Sequence, residues 1–303
     1  MTVINSIEIN NFRGIKQLTV SDFSKINLIV GDNNSGKTTF LEAIQLLFAK
    51  PQLSYVRNVI NQRTILKPNN SFYTSFIKMF NIQHSSDRLE FDIYAHTNNG
   101  PFEFQLSGNE KSVPGDEVLQ ISKMSPRQKI EYRLNSPYIP DTARVFTGSI
   151  ATQNRGKEYE NNISCTSLDD RISGPLVKKE VHYIPSFGHL RYDLIKNIVE
   201  KPDYKQLAIN VLKQFDSSVA DICYTKADDG TFIETIITNK GVNMPFSVYG
   251  DGIKKVLVLA NAIIGATDGI LLIDEIETAI HKKYYNDIFR FIVKACHTFN
   301  VQV

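Results

Sequence analysis

Residues 31–38 read Gly31-Asp32-Asn33-Asn34-Ser35-Gly36-Lys37-Thr38, a complete match to the pattern G-x-x-x-x-G-K-[ST]. The apolar run at residues 26–30 predicts a strand before this stretch, and apolar residues at helical spacing from Phe40 to Phe48 predict a helix after it. A strand, a glycine-rich turn and a helix in this order form the context of a phosphate-binding loop. A fortuitous glycine-rich turn is the alternative, and the matching context weighs against it.

The residue types in this P-loop (residues 31–38) suit an anion. Gly31 and Gly36 allow the backbone to curl so that successive N–H groups point at one anion, and the helix N-terminus adds the positive end of its dipole. Lys37 is expected to reach the β- and γ-phosphates of a nucleotide, and the Thr38 hydroxyl to ligate Mg²⁺. The predicted nucleotide-binding residues of this stretch are Gly31, Asn33, Asn34, Ser35, Gly36, Lys37, Thr38 and Thr39.

The composition is that of an ordinary globular protein. Of 303 residues 42% are hydrophobic, and 34 basic against 32 acidic side chains give a net charge of +2, without the electrostatic footprint of a dedicated nucleic-acid binder. Three scattered cysteines without a CxxC pair predict reduced thiols in a cytoplasmic protein and no zinc site. The N-terminus alternates like a strand, and the longest apolar run is too short to span a bilayer, so we expect neither a signal peptide nor a membrane segment.

A length of 303 residues allows two domains or one large α/β domain with insertions, and we expect the second, a single domain over residues 1–303. We expect the core at 1–50 and 181–303, a β subdomain at about 88–135, and inserted loops or short helices at about 51–87 and 136–180. Predicted strands within these regions cover residues 3–9, 15–20, 88–95, 102–106, 130–134, 181–185, 220–226, 231–238 and 270–273. Predicted helices follow residues 185 and 252 and run from about 280 to 295.

Two carboxylates follow the strand at 270–273. Four branched aliphatic residues precede Asp274 and Glu275, as in a parallel strand that is buried on both faces, and such strands carry functional residues at their C-terminal ends. Asp274 fits the Walker B role of holding Mg²⁺, and Glu275 fits a general base that orients the attacking water. A buried strand followed by an acidic helix cap is the alternative, and the P-loop upstream weighs against it.

A second glycine-containing turn lies upstream of this strand. Ser247-Val248-Tyr249-Gly250-Asp251-Gly252 precedes an apolar helix, so a serine, two glycines and a helix N-terminus occur together. Taken alone, this turn (residues 247–252) reads as an ordinary capped helix. Its position just before the Walker B strand favours a second anion-binding turn, which we call the signature turn.

These motifs, in this order, resemble the ABC-type ATPase heads of the SMC, RecF and OLD (overcoming lysogenization defect) families, and most closely the OLD-like AAA family ATPases of bacteria. The chain opens like them with Ile7-Glu8-Ile9-Asn10-Asn11-Phe12-Arg13-Gly14, and Glu277-Thr278-Ala279-Ile280-His281 follows Walker B as a D-loop. The resemblance implies an α/β P-loop NTPase of the ABC/SMC-head type, with a mixed sheet, an N-terminal antiparallel β part and a helical or loop insertion. The middle of the chain matches only through residues 183–186.

The resemblance also implies how the site works. ATP and Mg²⁺ would lie between two protomers of a homodimer, and Ser247, Gly250 and Gly252 would contact the γ-phosphate held by the partner. Such heads perform DNA-directed work in repair or antiviral defence, so DNA and a nuclease or effector protein are candidate partners. The leading hypothesis is an ATP-hydrolysing head, and the alternative is a non-hydrolysing nucleotide sensor that regulates a partner nuclease or toxin.

Three departures from the family pattern bear on these alternatives. Ala279 stands where a D-loop glycine is usual, and Gln83 is a weak candidate for the Q-loop. The switch histidine would follow a strand that begins at Asn300, so we expect the ATPase domain to be C-terminally incomplete; His281 and His297 do not replace it. The acidic D-x-D pair of the OLD Toprim nuclease domain does not occur, which predicts no nuclease activity for this chain.

Two further classes receive less weight. A GTPase is disfavoured because Asn239-Lys240 is followed by Gly241 and Val242, without the aspartate of the guanine-reading N-K-x-D pattern. Direct DNA binding would use the basic residues of the middle insertion, but acidic neighbours favour a solvated surface of mixed charge. The basic residues are Arg155, Lys157, Arg171, Lys178 and Lys179, and the acidic ones are Glu158, Glu160, Asp169, Asp170 and Glu180.

Overall fold

A computed structural model describes residues 2–64, 71–81, 88–122, 126–127, 129–130, 142–167, 181–190 and 194–303. The chain divides into two compact units. The first comprises residues 1–3, 24–28 and 179–303, and the second comprises residues 4–23 and 29–178. Gln83 and most of the strand predicted at 130–134 lie outside the described residues, and Ile130 itself is helical.

The second unit is built on a six-stranded antiparallel sheet in the order β2-β1-β3-β4-β5-β6. Alternating sequences form its first strands: the side chains of Ile7 and Ile9 are at most 1% exposed, and Glu8 between them is half-buried on the other face. The strands are β1 (Ile4–Phe12), β2 (Ile15–Val20), β3 (Arg88–Thr97), β4 (Gly100–Pro114), β5 (Thr142–Asn154) and β6 (Lys157–Thr166).

Helices and aromatic side chains cover this sheet. The core includes Phe76, Phe80, Phe91 and Phe146, whose rings lie 5.1 to 5.5 Å apart in the pairs Phe76–Phe146, Phe80–Phe91 and Phe80–Phe146. The helices are α1 (Lys37–Leu47), α2 (Leu53–Thr64), α3 (Phe72–Ile77) and α4 (Gly115–Ile121). Packing against β1, β3 and β4 fixes α1 on the sheet, and the P-loop immediately precedes this helix.

The segment at 136–180, where we expected loops or short helices, contains β5 and β6 instead. The polar sequence of this segment did not predict β6, because β6 is an edge strand whose first six residues, 157–162, are exposed. An edge strand with solvated residues on both faces shows no apolar alternation.

Two glycines face each other where β4 pairs with β5. Gly108 and Gly148 are partners in the strand register. A Cβ added to Gly108 would lie 2.4 Å from the Thr147 carbonyl oxygen, and one added to Gly148 would lie 2.1 Å from the Ser107 carbonyl oxygen. Neither position therefore has room for a side chain, and the Phe146 ring occupies the space beside Gly108.

The first unit holds the predicted Walker B strand. Here β7 (Val181–Ile184) pairs in parallel with β11 (Ile270–Ile273), and Gln302 adds a single parallel bridge to Ile270 where we expected a further strand to begin. A separate antiparallel sheet consists of β8 (Val219–Lys226), β9 (Phe232–Thr238) and β10 (Asn243–Pro245).

In the described part of this first unit, four helices pack around a core that includes Ile198, Leu212, Leu257 and Ile292, each at most 3% exposed. They are α5 (Lys196–Val199), α6 (Pro202–Phe215), α7 (Asp251–Gly265) and α8 (Tyr285–Thr298). The last helix begins later than expected, because residues 274–281 form a turn-rich segment instead. Across the described ranges, no helix combines the length and apolar character needed to cross a membrane.

Candidate functional site

The P-loop has the backbone curl that its glycines predict. Gly36 adopts φ = 95° as the N-cap of α1, and Asn34 adopts φ = 65°, so two left-handed residues bend the chain within three positions. Ser35 N–H donates to the Asp32 carbonyl at 3.2 Å and closes the turn. Residues 31–35 are exposed, which leaves this turn accessible to a ligand. Alternating conformations of this kind direct successive N–H groups to one side, where they form an anion-binding concavity.

The ammonium of Lys37 folds back over the P-loop. Its Nζ donates to the carbonyl oxygens of Gly31 at 2.7 Å and of Asp32 at 2.8 Å. An ammonium carries three N–H donors, so these two bonds leave a third that can reach a phosphate oxygen. Thr39 is only 8% exposed, so any contribution it makes to an anion comes from its backbone N–H in the first helical turn.

The segment before the P-loop is not the strand that its apolar residues predict. Residues 26–30 have no regular secondary structure, and Leu28 and Val30 are 69% and 79% exposed. Asn27 N–H donates to Val303 at 2.8 Å, and Val303 N–H donates to Lys25 at 2.8 Å. This pairing ends at Asn27. Residues 28–30 have no ladder partner in the described part of the chain, and a strand needs one.

Asp274 lies at the carboxyl end of β11, as predicted. Its N–H donates to the Ile184 carbonyl at 2.9 Å, which extends the pairing with β7 by one residue. The Asp274 side chain is 9% exposed, and the Tyr183 hydroxyl donates to its Oδ2 at 3.1 Å. The sequence did not indicate this role for Tyr183, because the two residues meet only once β7 and β11 pair.

Glu275 presents its carboxylate to solvent from a strained turn. Its φ is +46°, in the left-handed region, and its side chain is exposed. The Thr278 hydroxyl donates to Glu275 Oε2 at 3.2 Å, and Thr278 N–H donates to the Glu275 carbonyl at 3.0 Å. One carboxylate oxygen is thus oriented by the protein, and Oε1 can accept a hydrogen bond from a water.

The signature turn leads into α7 through a short 3₁₀ turn, Phe246–Val248. Ser247 and Gly250 are exposed, and Gly250 is the N-cap of α7. The φ of Gly250 is −65°, which any residue adopts, and a Cβ added there meets no atom of the described residues within 4 Å. Gly252 is tighter, because an added Cβ would lie 3.1 Å from the Ala279 carbonyl oxygen.

The carboxylate segment, residues 274–281, therefore lies against the start of α7. Ala279 adopts φ = +69°, so the residue that replaces the expected D-loop glycine has the backbone conformation typical of glycine. The His281 side chain belongs to the same segment and accepts a hydrogen bond from Lys283 N–H at 3.3 Å. His281 lies in this turn, whereas His297 is in the last turn of α8.

A buried cation that the sequence did not single out lies beside this segment. Lys255 is 0% exposed, and its Nζ donates to the carbonyl oxygens of Ser186 at 3.0 Å and Glu275 at 3.4 Å. Burial lowers the pKa of Lys255 from 10.5 to about 8, and nearby carboxylates oppose this shift. Burial also lowers the pKa of His189, and the charge of Lys255 lowers it further.

The structure thus places the predicted residues in two groups. The P-loop residues lie together in one unit, and Asp274, Glu275 and the signature turn lie together in the other. Among the described residues, no cluster of three or more histidine, cysteine, aspartate or glutamate side chains could hold a metal by itself.

Comparison with known families assigns the chain. The family described as "AAA domain, putative AbiEii toxin, Type IV TA system" matches residues 26–303, which include the P-loop, the signature turn and the carboxylate segment. The chain belongs to this family. It is an AAA ATPase.

Individual relatives share limited sequence identity with this chain or match only a short part of it. An ATP/GTP phosphatase of Helicobacter pylori is 23% identical over 299 residues, which cover 92% of this chain and 77% of the relative. The DNA replication and repair protein RecF of Idiomarina loihiensis is 48% identical over 44 residues, which are 14% of this chain and 12% of that protein. The SMC head domain from Thermotoga maritima superposes with a TM-score of 0.46 at 11% identity, covering 98% of this chain and 87% of the other.

Proposed function

We propose that this AAA ATPase binds a nucleoside triphosphate on its P-loop. It would hydrolyse the bond between the β- and γ-phosphates, with Glu275 as the general base. The observation that carries the proposal is the conformation of the P-loop, in which Gly36 at φ = 95° curls the backbone and Lys37 bridges the carbonyls of Gly31 and Asp32. Lys37 would contact the β- and γ-phosphates, because its ammonium lies over the exposed turn.

Mg²⁺ fits the residues assigned to it. Hydroxyl and carboxylate oxygens are hard ligands that this ion prefers, and Thr38 and Asp274 supply one of each. Tyr183 orients the Asp274 carboxylate through its contact with Oδ2 at 3.1 Å. When bound, the ion would neutralise charge on the phosphates. Glu275 would then orient the attacking water through Oε1, while Thr278 holds Oε2 at 3.2 Å.

We propose further that two protomers close around the nucleotide. Ser247, Gly250 and Gly252 would contact the γ-phosphate held by the partner protomer. Gly250 supports this arrangement, because neither its φ of −65° nor any neighbour within 4 Å requires a glycine there. A glycine that the protomer itself does not need is explained if another molecule approaches its backbone closely.

The residues assigned above would contact the triphosphate and its ion and not the purine ring of the nucleotide. We therefore propose that both ATP and GTP are substrates, as the name of the ATP/GTP phosphatase relative suggests. This proposal revises the low weight that the absent N-K-x-D pattern gave to GTP, because phosphate contacts alone do not distinguish the two nucleotides.

The cellular role that we propose is nucleotide-dependent control of a partner in repair or antiviral defence. The family description names a toxin of a type IV toxin–antitoxin system, and RecF relatives are DNA replication and repair proteins. The candidate partners are a nuclease or toxin and DNA, and the proposed compartment is the cytosol, where cysteine thiols stay reduced. If DNA binds through phosphates, its affinity falls steeply with salt concentration, and an affinity independent of salt would count against this mode.

Turnover measurements test the catalytic assignment. We expect Glu275→Gln to lower kcat for ATP by about 10²- to 10⁴-fold with binding retained, because only the general base is lost. Lys37→Ala is expected to weaken binding of a non-hydrolysable ATP analogue as well. Glu200→Gln, the same change at an exposed residue between α5 and α6, and Lys50→Ala serve as matched controls with wild-type turnover. Wild-type turnover in Glu275→Gln would show that Glu275 is not the base.

A further inference from the structure

We infer that Lys255 is a positioning residue for Glu275, and that its ammonium fastens α7 to the backbone of the carboxylate segment. The inference rests on the proposed function, because it takes Glu275 as the group that orients the attacking water. It adds a residue outside the P-loop, the signature turn and the carboxylate segment to the machinery of hydrolysis.

The placement of Lys255 is the first argument. Its neighbours Val256 and Leu257 are apolar core residues, and Lys255 itself is fully buried among them. A buried ammonium is unfavourable unless it is hydrogen-bonded and compensated by opposite charge. Its Nζ meets both conditions through the carbonyls of Ser186 and Glu275, at 3.0 and 3.4 Å, and through nearby carboxylates.

The charges around Lys255 connect it to hydrolysis. Glu277, Asp274 and Glu275 face it from the carboxylate segment and favour its charged form. Burial and then the positive charge of Lys255 lower the pKa of His189, which lies in the 3₁₀ turn Gly188–Leu190. Burial dominates, and the pKa of Lys255 falls to about 8.

The backbone of Glu275 needs such an anchor. A φ of +46° is unfavourable for a residue with a side chain, so surrounding contacts must maintain it. Two groups donate to the Glu275 carbonyl, namely Thr278 N–H at 3.0 Å and Lys255 Nζ at 3.4 Å. The second contact comes from α7, the helix whose start also packs against Ala279 at Gly252.

This arrangement predicts a pH dependence. Lys255 is charged below its pKa and neutral above it, so its charge-assisted bonds and its attraction to the three carboxylates weaken as the pH rises through about 8. Glu275 is then held less firmly, and kcat is expected to fall on the alkaline side. The KM for ATP is expected to stay constant, because the hydrogen bonds of Lys255 go to the carbonyls of Ser186 and Glu275, and neither residue is assigned to nucleotide binding.

The experiment compares ATP turnover of the full chain between pH 6.5 and 9.5 in wild type, Lys255→Met and Lys254→Met. For Lys255→Met we expect kcat about tenfold lower at pH 7, an unchanged KM, and a profile without the alkaline decline. Lys254→Met is the matched control: Lys254 is the adjacent lysine, its Nζ contacts Asp251 at 3.3 Å, and it should keep the wild-type profile. If Lys255→Met does not fold, as judged by circular dichroism, Lys255→Gln keeps an N–H donor without the charge and should show the same flat profile.

The outcomes separate this inference from the proposed function. A Lys255 variant that folds and keeps the wild-type kcat and alkaline decline overturns the positioning role. Measured alongside, Glu275→Gln reports on the base itself: full activity of that variant defeats the proposed function, whereas its inactivity together with an active Lys255 variant defeats only the inference.

Discussion

The backbone conformation of Ala279 lowers the stability of the fold. It adopts φ = +69°, a conformation that favours glycine because a Cβ crowds the following carbonyl. We expect Ala279→Gly to raise the free energy of unfolding by about 0.5–1 kcal/mol, the relief of backbone strain less the entropy that glycine adds to the unfolded chain. Urea denaturation monitored by circular dichroism measures it.

Ala266→Gly is the matched control for this prediction. Ala266 is buried at φ = −87°, where alanine is unstrained, so the same substitution should lower the free energy of unfolding by about 0.5–1 kcal/mol. Two changes of equal sign would indicate that backbone conformation does not decide the effect at Ala279.

The sequence motif predicted some residues of the site and not others. The glycine of G-K-[ST] correctly implied a left-handed turn at Gly36, because the pattern encodes local backbone geometry. Tyr183 and Lys255 escaped prediction because their contacts join residues 91 and 20 positions apart, and no local pattern encodes such tertiary pairs.

Among the secondary-structure elements, α1 is anchored by a buried ion pair. Arg13, in the turn between β1 and β2, contacts Glu42 of α1 with Nε and Oε2 2.9 Å apart, and their side chains are 13% and 1% exposed. Removing one partner leaves the other charge buried without compensation. We expect Glu42→Gln to lower the free energy of unfolding by about 3 kcal/mol, measured by urea denaturation.

An exposed pair provides the comparison for Glu42. Arg88 and Glu90 lie 3.3 Å apart with side chains 62% and 52% exposed, so Glu90→Gln should change stability by less than about 1 kcal/mol. Equal losses in the two variants would mean that burial does not determine the contribution of the Arg13–Glu42 pair.

Periodicity predicted elements with an apolar, buried face and failed at a solvated edge strand and at an apolar segment outside any strand. It located β1, β2, β3, α7 and β11, since each has a buried and a solvated side or is buried throughout. It missed β6, where the first six residues are exposed, and it wrongly predicted a strand at residues 26–30, for which the described part of the chain supplies no ladder partner to residues 28–30.

For the molecule as a whole, the proposed closure of two protomers yields a test at Gly250. In a Glu275→Gln background, where ATP persists, we expect ATP to produce dimers that light scattering detects. Adding Gly250→Ala should abolish them, because the methyl group intrudes where the partner's phosphate would lie. The thermal midpoint of this variant should not change, since the added Cβ meets no described atom within 4 Å.

Gly14→Ala controls for the methyl group itself. Gly14 also has no atom within 4 Å of an added Cβ and lies outside the assigned site, so this variant should dimerise normally. ATP-dependent dimers of Gly250→Ala would place the partner's nucleotide elsewhere, and a lower midpoint would assign Gly250 a role in folding.

The facing glycines of β4 and β5 carry an evolutionary consequence. Gly108 and Gly148 each lack room for a Cβ against the other strand. Neither position is therefore expected to tolerate a single substitution by another residue. Descendants of this gene should therefore retain both glycines, or lose them together with a shift in how the two strands are aligned.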